Sequence, residues 1–414
     1  MSKTITVYEY DRLTTSNELF DSVKLSALLK LNDLHGGKYL DGISNGVRFK
    51  QFVGVIQVDG LTIEILPKAD KDEGDPAWKN VLLKMLKRTG RLKASTVGSA
   101  HVDRQNLNLL EIYFEIFLNE LIVLQRRGLI KQYRKESKNI SALKGKLEFS
   151  GHIRQNLIHK ERFYTTHQVY DKDHVLHQVL FVALEIVKNF TNGTRLSDLC
   201  SRVMFDFPEV QKIVVNEQLL SSIKLSRKSN SYSYSIELAR LIILNYSPDI
   251  SKGKNKMLSL LFDMNKLWEE FVLVELRNVE DRYGISIEGQ DEKRFWGSNY
   301  LKPDIVIQKD GLKYVLDTKW KRPGDSPSVS DLRQMYTYCR FWNAEKATLV
   351  YPGAPKKSNF KEFLTDDFYE VGHSEISDVR HKCKMDFVSV LDENNNLREN
   401  IGEDIIASLG ILHT

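Results

Sequence analysis

Residues 302–322 read KPDIVIQKDGLKYVLDTKWKR, and the fold of the chain is decided there. Two apolar runs, Ile305–Gln308 and Tyr314–Leu316, flank Lys309-Asp310-Gly311-Leu312. Asp-Gly between such runs is a strong hairpin signal, because the favoured two-residue turn needs positive φ at both central positions. A turn centred on Asp310-Gly311 sets Asp304 directly opposite Asp317 on antiparallel strands. Directly opposite residues share a sheet face, with β-carbons about 5 Å apart. Lys319 lies two residues past Asp317 and falls on that face too, since strand side chains alternate. Two carboxylates side by side repel unless a cation sits between them, and Mg²⁺ takes one or two carboxylates plus water and phosphate. The lysine can then stabilise phosphoryl charge or help activate a water. An ordinary charged hairpin is the bland alternative, since Asp-x-Lys is common by chance. Three such residue types on one face favour the metal site.

Outward from this hairpin, Asp263 can cap a helix from Met264 to about Tyr283, with Gly284 as its stop. Ile285–Glu288 reads as a strand. Ser328 and Asp331 begin a capping-box helix running to about Trp342, and Ala347–Tyr351 is a last strand before Pro352-Gly353. Helix, strands, helix and strand describe a mixed sheet flanked by helices, an α/β sandwich whose strand ends are natural places for a site. Trp268, Trp296, Trp320 and Trp342 are expected in its core rather than on a base-stacking platform.

Residues 1 to about 70 read as β-rich: Ile5–Tyr8 is a strand, Asn45-Gly46 a turn, and Phe52–Val58 with Leu61–Leu66 a hairpin about Asp59-Gly60. Asp70–Asp75 is a charged loop. Pro76 starts a helix carrying Trp78, Val81, Leu82, Met85 and Leu86, which Gly90 ends. Helical spacing returns from 104 to 126, and again over 170–192 and 233–246. Between them Arg126, Arg127, Lys131, Arg134, Lys135, Lys138, Lys144 and Lys146 form a basic run, either a solvated connector or a contact for phosphates or an acidic partner. A polar break, SKGKNK at 251–256, places the main boundary near 250. The expected organisation is a β-rich domain over 1–100, a mainly helical connecting region over 101–250, and an α/β domain over 251–414.

The 414 residues can hold two or three domains. A net charge of +5 permits nucleic-acid binding only where basic residues cluster. Three scattered cysteines, Cys200, Cys339 and Cys383, oppose a disulfide framework or a zinc knuckle and fit a reducing cytoplasm. Neither a leader-like start nor a bilayer-length apolar run is present, so a cytoplasmic location without a membrane partner is expected. His174 and His177, with His167 near, lack a zincin-type carboxylate pattern and read as packing or surface residues. Tyr232 and Tyr234 read as part of a polar connector.

The order of Glu-bearing helix, Pro-Asp, Asp-x-Lys and second helix resembles the PD-(D/E)xK nuclease superfamily. Gln334-Met335-Tyr336-Thr337-Tyr338 matches the Gln-x-x-x-Tyr element of its RecB-like branch. A spacing of four puts Gln334 and Tyr338 on one helix face, where amide and phenol can order the site or touch a phosphate. In this group a first-helix glutamate joins the metal site, and Glu269 and Glu270 are the candidates. Glu270 has Lys266 four residues earlier as a surface partner. Glu269 borders the buried row Met264, Trp268, Val272 and Leu276, fits the group's Leu-aromatic-Glu pattern, and is preferred.

The whole chain resembles the McrC family, the nuclease subunits of McrBC modification-dependent (5-methylcytosine) restriction systems that defend cells against foreign DNA. IEILPKAD at 63–70, LIVLQRRGLIKQYRKESKNISALKGKLEFSGHIRQN at 121–156, FDMNKLWEEFV at 262–272, and LKPDIVI with LDTKWKRP carry the likeness. It covers most of residues 50–352 and little of the first 45 or of the tail after about 355. The resemblance implies a C-terminal restriction-endonuclease-like domain that cuts DNA and an N-terminal part that docks on a McrB-like AAA+ GTPase hexamer and stimulates it. It implies Mg²⁺, with Mn²⁺ as a substitute, held by Asp304 and Asp317 with Glu269 directly or through water. Lys319 supports the nucleophile or the developing charge, while Gln334 and Tyr338 order the site. The chain has no G-x-x-x-x-G-K-[ST] phosphate loop, so GTP is expected to come through the partner. Arg126, Arg127 and Lys131 are candidates for reaching the partner's nucleotide, beside a structural role for each. A double-strand break would need two such subunits. A stand-alone RecB-like repair nuclease and a non-catalytic activator of the GTPase are the competing readings.

Overall fold

The computed structural model describes residues 3–58, 60–67, 75–92, 108–247, 257–321, 323–324, 326–364 and 381–411. They fall into two compact units, each discontinuous in sequence. One comprises Met1–Thr4, Val55–Thr62 and Ser95–Leu260; the other comprises Ile5–Gly54, Ile63–Ala94 and Leu261–Thr414. The polar break at 251–256 lies outside the described residues. Most of the N-terminal segment folds with the C-terminal one, and specific contacts explain why. Met264 N–H donates to Gln51 O at 2.9 Å, the Trp320 indole donates to Glu9 at 2.7 Å, and Trp78 packs edge-on to Trp320 at 6.4 Å.

The first unit is mainly helical and holds, besides strands of a five-stranded sheet, an unforeseen three-stranded sheet. Leu109–Arg127 starts at Asn108 with a full capping box to Glu111, close to the helical signal over 104–126. Val175–Thr191 packs against Ser197–Phe205 and Ser233–Leu244. The basic run is not a simple connector. Gln132–Ile140 and Lys146–Leu147 each pair antiparallel with Phe163–Asp171. Its sequence, QYRKESKNI, offers no apolar alternation, because neither face of that strand is deeply buried. Tyr232 and Tyr234 correct the connector reading: both are buried, and the Tyr232 hydroxyl meets His177 Nε2 at 3.0 Å and accepts from Ile130 N–H at 3.1 Å. His174 and His177 are buried packing residues, with His177 Nδ1 2.6 Å from Lys172 O.

The second unit contains the expected Asp75–Arg88 helix, with Trp78, Val81, Leu82, Met85 and Leu86 all buried. Residues 68–74, which include most of the expected charged loop, lie outside the described residues. Helix Ser22–Leu34, capped by Asp21, interrupts the β-rich N-terminal region where only strands and turns were read. Leu40–Ile43 pairs with Gly46–Phe49 around Ser44-Asn45, so the turn sits one residue earlier than Asn45-Gly46.

A six-stranded mixed sheet organises the rest of this unit. Its order is Ser286–Gly289, Ile305–Lys309, Leu312–Thr318, Lys346–Pro352, Lys382–Val388 and Lys361–Glu362. The two central pairings, from Leu312–Thr318 to Lys346–Pro352 and on to Lys382–Val388, are parallel, and the others antiparallel. Val306, Val315, Ala347, Leu349 and Tyr351 share a core with Met335, Cys339 and Trp342 of helix Val329–Trp342. Strand alternation sends Ile305, Ile307 and Leu316 to the other face, and they too are buried. Helices Met264–Arg277 and Ile401–Leu409 contact Leu312–Thr318 and Lys382–Val388 respectively, and pack on each other. Gly402 permits this approach, since a β-carbon there would lie 2.3 Å from Glu275 O. Asp263 caps Met264–Arg277 as expected, but the helix breaks before a separate turn, Glu280–Tyr283, which Gly284 ends in the left-handed conformation. Strand Lys382–Val388 and helix Ile401–Leu409 come from a tail that carried no sequence signal. All three cysteines are free and buried. No helix among the described residues is long and apolar enough to cross a membrane.

Candidate functional site

The Asp310-Gly311 hairpin forms with the register its sequence predicts, Ile305 opposite Leu316 through Lys309 opposite Leu312. Asp310 and Gly311 have φ of 49° and 83°, the two positive values such a turn requires. One step beyond the last pair stand Asp304 and Asp317, on the same face as Val306 and Val315. Asp317 is 2% exposed, at the end of a central strand. Asp304 is half-buried, and its Oδ2 accepts from Thr318 N–H at 2.7 Å and from the Thr318 hydroxyl at 2.9 Å.

Burial is the first cause of the site's electrostatics. It raises the Asp304 carboxyl, against the lowering pull of the Thr318 bonds and Lys319. Burial and the neighbouring Asp304 charge push Asp317 up to about 7, well above an ordinary carboxyl. Lys319 Nζ lies 2.7 Å from Asp317 Oδ2. Burial works to lower that ammonium, yet Asp317, Asp331 and Asp304 together hold it above its usual range. Glu269 is raised by burial first and by Asp304 second. Glu269, Asp304 and Asp317 all have raised proton affinity, with Lys319 beside the aspartates and Lys302 acting on Glu269.

Gln334 and Tyr338 meet as the helical spacing implied. Gln334 Nε2 donates to Tyr338 Oη at 2.8 Å, and Tyr338 Oη donates to Lys302 O at 2.9 Å, two residues before Asp304. Lys319 Nζ reaches Gln334 Oε1 at 3.3 Å. Tyr338→Phe removes the bond to Lys302 O and is expected to cost about 1 kcal/mol of stability. Retention of wild-type stability in urea denaturation would show that this bond does not hold the strand end.

The helix Met264–Arg277 separates the two glutamates. Glu270 forms a two-pronged pair with Arg91, both bonds 2.7 Å, rather than the expected pair with Lys266. Glu269 turns toward Gln290, whose amide donates to Oε1 at 2.6 Å. Gln290 N–H in turn donates to Asp304 O at 2.9 Å, at a left-handed φ of 55°. Gln290, Thr318 and Asp331 were not read from the sequence. Asp331, taken there as a cap partner, is buried and bonds Lys321 at 2.8 Å, with Lys319 at 4.0 Å. Gln290 and Thr318 reach the site through strand pairing between residues distant in the chain, which no local spacing flags, whereas Asp331 meets Lys321 and Ser328 close by in sequence.

A divalent cation fits the chemistry of this donor set. Among the described residues no trio of His, Cys, Asp or Glu closes around one point. Mg²⁺ asks for less, because it keeps several waters and takes one or two carboxylates. Asp304 and Asp317 are the pair that could hold it, and Glu269 could join only through water in this arrangement. Trp296 corrects the aromatic expectation: Trp268, Trp320 and Trp342 are core, but Trp296 is 74% exposed. It lies on a small hairpin, Lys293–Trp296 paired with Asn299–Leu301, that the sequence reading missed. Arg126, Arg127 and Lys131 lie at the end of Leu109–Arg127 and just beyond it, in the first unit, and Arg126 and Arg127 are exposed.

A family model described as McrBC 5-methylcytosine restriction system component matches residues 47–352. Among curated proteins, the chain is 24% identical over 179 residues to the type IV methyl-directed restriction enzyme EcoKMcrBC of Escherichia coli (strain K12). That alignment covers 41% of this chain, and the chain spans about half (51%) of the relative's length. Among solved structures, the refined half-complex from a tetradecameric assembly of Thermococcus gammatolerans McrB AAA+ hexamers with bound McrC contains a similar chain. Its TM-score is 0.70 at 22% identity over 99% of both chains. The cryo-EM structure of the Thermococcus gammatolerans McrBC complex matches at TM-score 0.50 and 23% identity, over 69% of this chain and 90% of that one. Identities this low establish likeness of fold.

Proposed function

The chain belongs to the McrBC 5-methylcytosine restriction system component family, and from that premise we propose that it is the Mg²⁺-dependent DNA-cleaving subunit of such a system, working on a McrB-like AAA+ GTPase. The buried Asp304–Asp317 pair beside Lys319 carries the reading, because burial makes this arrangement costly without a cation. An activator of the GTPase would have no use for it. Mg²⁺ supplies Lewis-acid polarisation of a phosphoryl oxygen and a more acidic water. The chain's own residues do the remaining work. Asp304, pinned by Thr318, and Asp317 set the position of the scissile phosphate. Lys319 offers its ammonium to the charge developing on phosphoryl oxygens, and Asp317 and Gln334 fix where it points. Tyr338 holds the strand end through Lys302 O, and Glu269 accepts a proton or orients a water. The partner, a GTPase hexamer, follows from the family and from the fold shared with a McrB-bound chain. Paired subunits would give a double-strand break.

The deciding measurement is cleavage of 5-methylcytosine-containing duplex DNA in Mg²⁺, with and without the cognate GTPase and GTP, comparing wild type with Asp317→Ala. Cutting that requires partner and GTP and is lost in the variant is the expected result. Cutting by the chain alone would replace this reading with a stand-alone repair nuclease. GTPase stimulation without cleavage would replace it with the activator.

A further inference from the structure

The hairpin Lys293–Trp296/Asn299–Leu301 exposes three aromatic rings more than halfway. Trp296 is 74% exposed, Tyr300 58% and Phe295 52%. Water-facing rings of this size on a short two-stranded ribbon are costly unless something covers them. The ribbon is rooted in the site on both sides. At its first stem Gln290 bonds Glu269 and the Asp304 backbone, and Asp291 accepts from the Trp342 indole at 2.6 Å. At its second stem Lys302 O accepts from Tyr338, and Asp304 follows two residues later. The ribbon is also braced sideways. Lys293 Nζ donates to Phe341 O at 2.9 Å, and the Phe295 and Phe341 rings pack edge-on at 5.5 Å. An element fixed at both stems to the carboxylate site holds its rings at a set distance from the scissile phosphate.

Charge selects the occupant. From Lys293 to Leu301 the ribbon carries two cations and no anion, and Arg294 spends one nitrogen on the turn at Gly297 while remaining exposed. Exposed rings beside the exposed Arg294 suit bases and phosphates, since aromatic rings stack on any base and Arg binds the backbone. Resting on the nuclease reading, we infer that this ribbon grips the DNA at the cut: Trp296 and Tyr300 stack on bases beside the scissile phosphate, so the duplex is locally unstacked there. The ribbon is then a positioning device that sets which phosphate enters the site.

Trp296 makes the test direct, because Trp78, Trp268, Trp320 and Trp342 are all buried. The full-length Asp317→Asn chain, with the cognate GTPase and a non-hydrolysable GTP analogue, is titrated with a 5-methylcytosine-containing duplex carrying 2-aminopurine. The expected result is quenching of the exposed tryptophan and a rise in 2-aminopurine emission. Both are lost in Trp296→Ala/Tyr300→Ala, which should weaken DNA binding about tenfold or more. Trp296→Phe should restore part of the binding. GTPase stimulation should be unchanged by the aromatic substitutions. Unaltered DNA affinity and 2-aminopurine signal in the double variant would overturn the inference. So would a loss of GTPase stimulation with DNA affinity intact, which would make the ribbon a protein-docking element. Loss of DNA binding in the double variant alongside no cleavage by wild type would keep the ribbon's role and defeat the nuclease reading.

Discussion

Asp317→Asn is expected to abolish cleavage, by about 10³-fold or more, and at the same time to stabilise the metal-free protein at pH 8. On the proposed reading, the first effect follows from removing a carboxylate that would position several kcal/mol of phosphoryl charge stabilisation. The second follows from proton linkage. The Asp317 carboxyl sits at about 7 in the folded protein, against 3.8 as its ordinary value, so folding takes up a proton between those limits. A raised carboxyl contributes stability below its ordinary range and loses it as pH rises toward 7. Charge left at pH 8 is buried beside Asp304, and its cost, with the attraction of Lys319 at 2.7 Å already included, is on the order of 4 kcal/mol. Asparagine keeps the shape without that charge. Urea denaturation in EDTA at pH 5 and pH 8 measures it: the wild type should lose this stability across the interval relative to the variant. Added Mg²⁺ should restore it at pH 8 to the wild type alone. Parallel pH profiles for the two proteins would mean that the carboxylate pair carries no stored repulsion, and the main support for a cation there would be gone.

Arg88→Met is expected to be the most damaging substitution outside the site. Glu275, on the helix that carries Glu269, is 3% exposed, and burial raises its carboxyl even with Arg88 2.7 Å away. Removing one partner of a buried pair leaves an uncompensated charge and costs about 3–5 kcal/mol. Replacing both partners with neutral groups removes the penalty, so Arg88→Met/Glu275→Gln should recover most of the loss. The neighbouring Arg91–Glu270 pair is more exposed, about a third on each side, and Arg91→Met should cost less than about 1 kcal/mol. Equal losses for Arg88→Met and the double variant would show that the damage comes from lost packing rather than from the stranded carboxylate.

Local chemistry made part of this architecture legible. Asp310-Gly311 is a turn whose register depends only on two adjacent residues, so the placement of Asp304 beside Asp317 could be read directly. The caps at Asp263 and Ser328 bond backbone groups within three residues, and the four-residue step from Gln334 to Tyr338 is set by helix geometry alone. Glu269 could be preferred over Glu270 from the buried stripe beside it, although the partner that occupies Glu270, Arg91, was out of reach.

What was missed shares one cause. The strand Gln132–Ile140 has no buried face to impose alternation, Trp296 looks by composition like a core residue, and Lys382–Val388 earns its place only by pairing with Lys346–Pro352. The sequence by itself determined the carboxylate hairpin, the helices on either side of it and the residue types that can do phosphoryl chemistry, because each rests on interactions between neighbours in the chain. Only the tertiary structure decided that residues 5–54 and 63–94 fold with the C-terminal segment, that Arg88 and Arg91 neutralise glutamates about 180 positions away, and that Trp296 faces water. Those outcomes depend on which buried charges and apolar faces meet across long chain separations, and no spacing along the sequence encodes that.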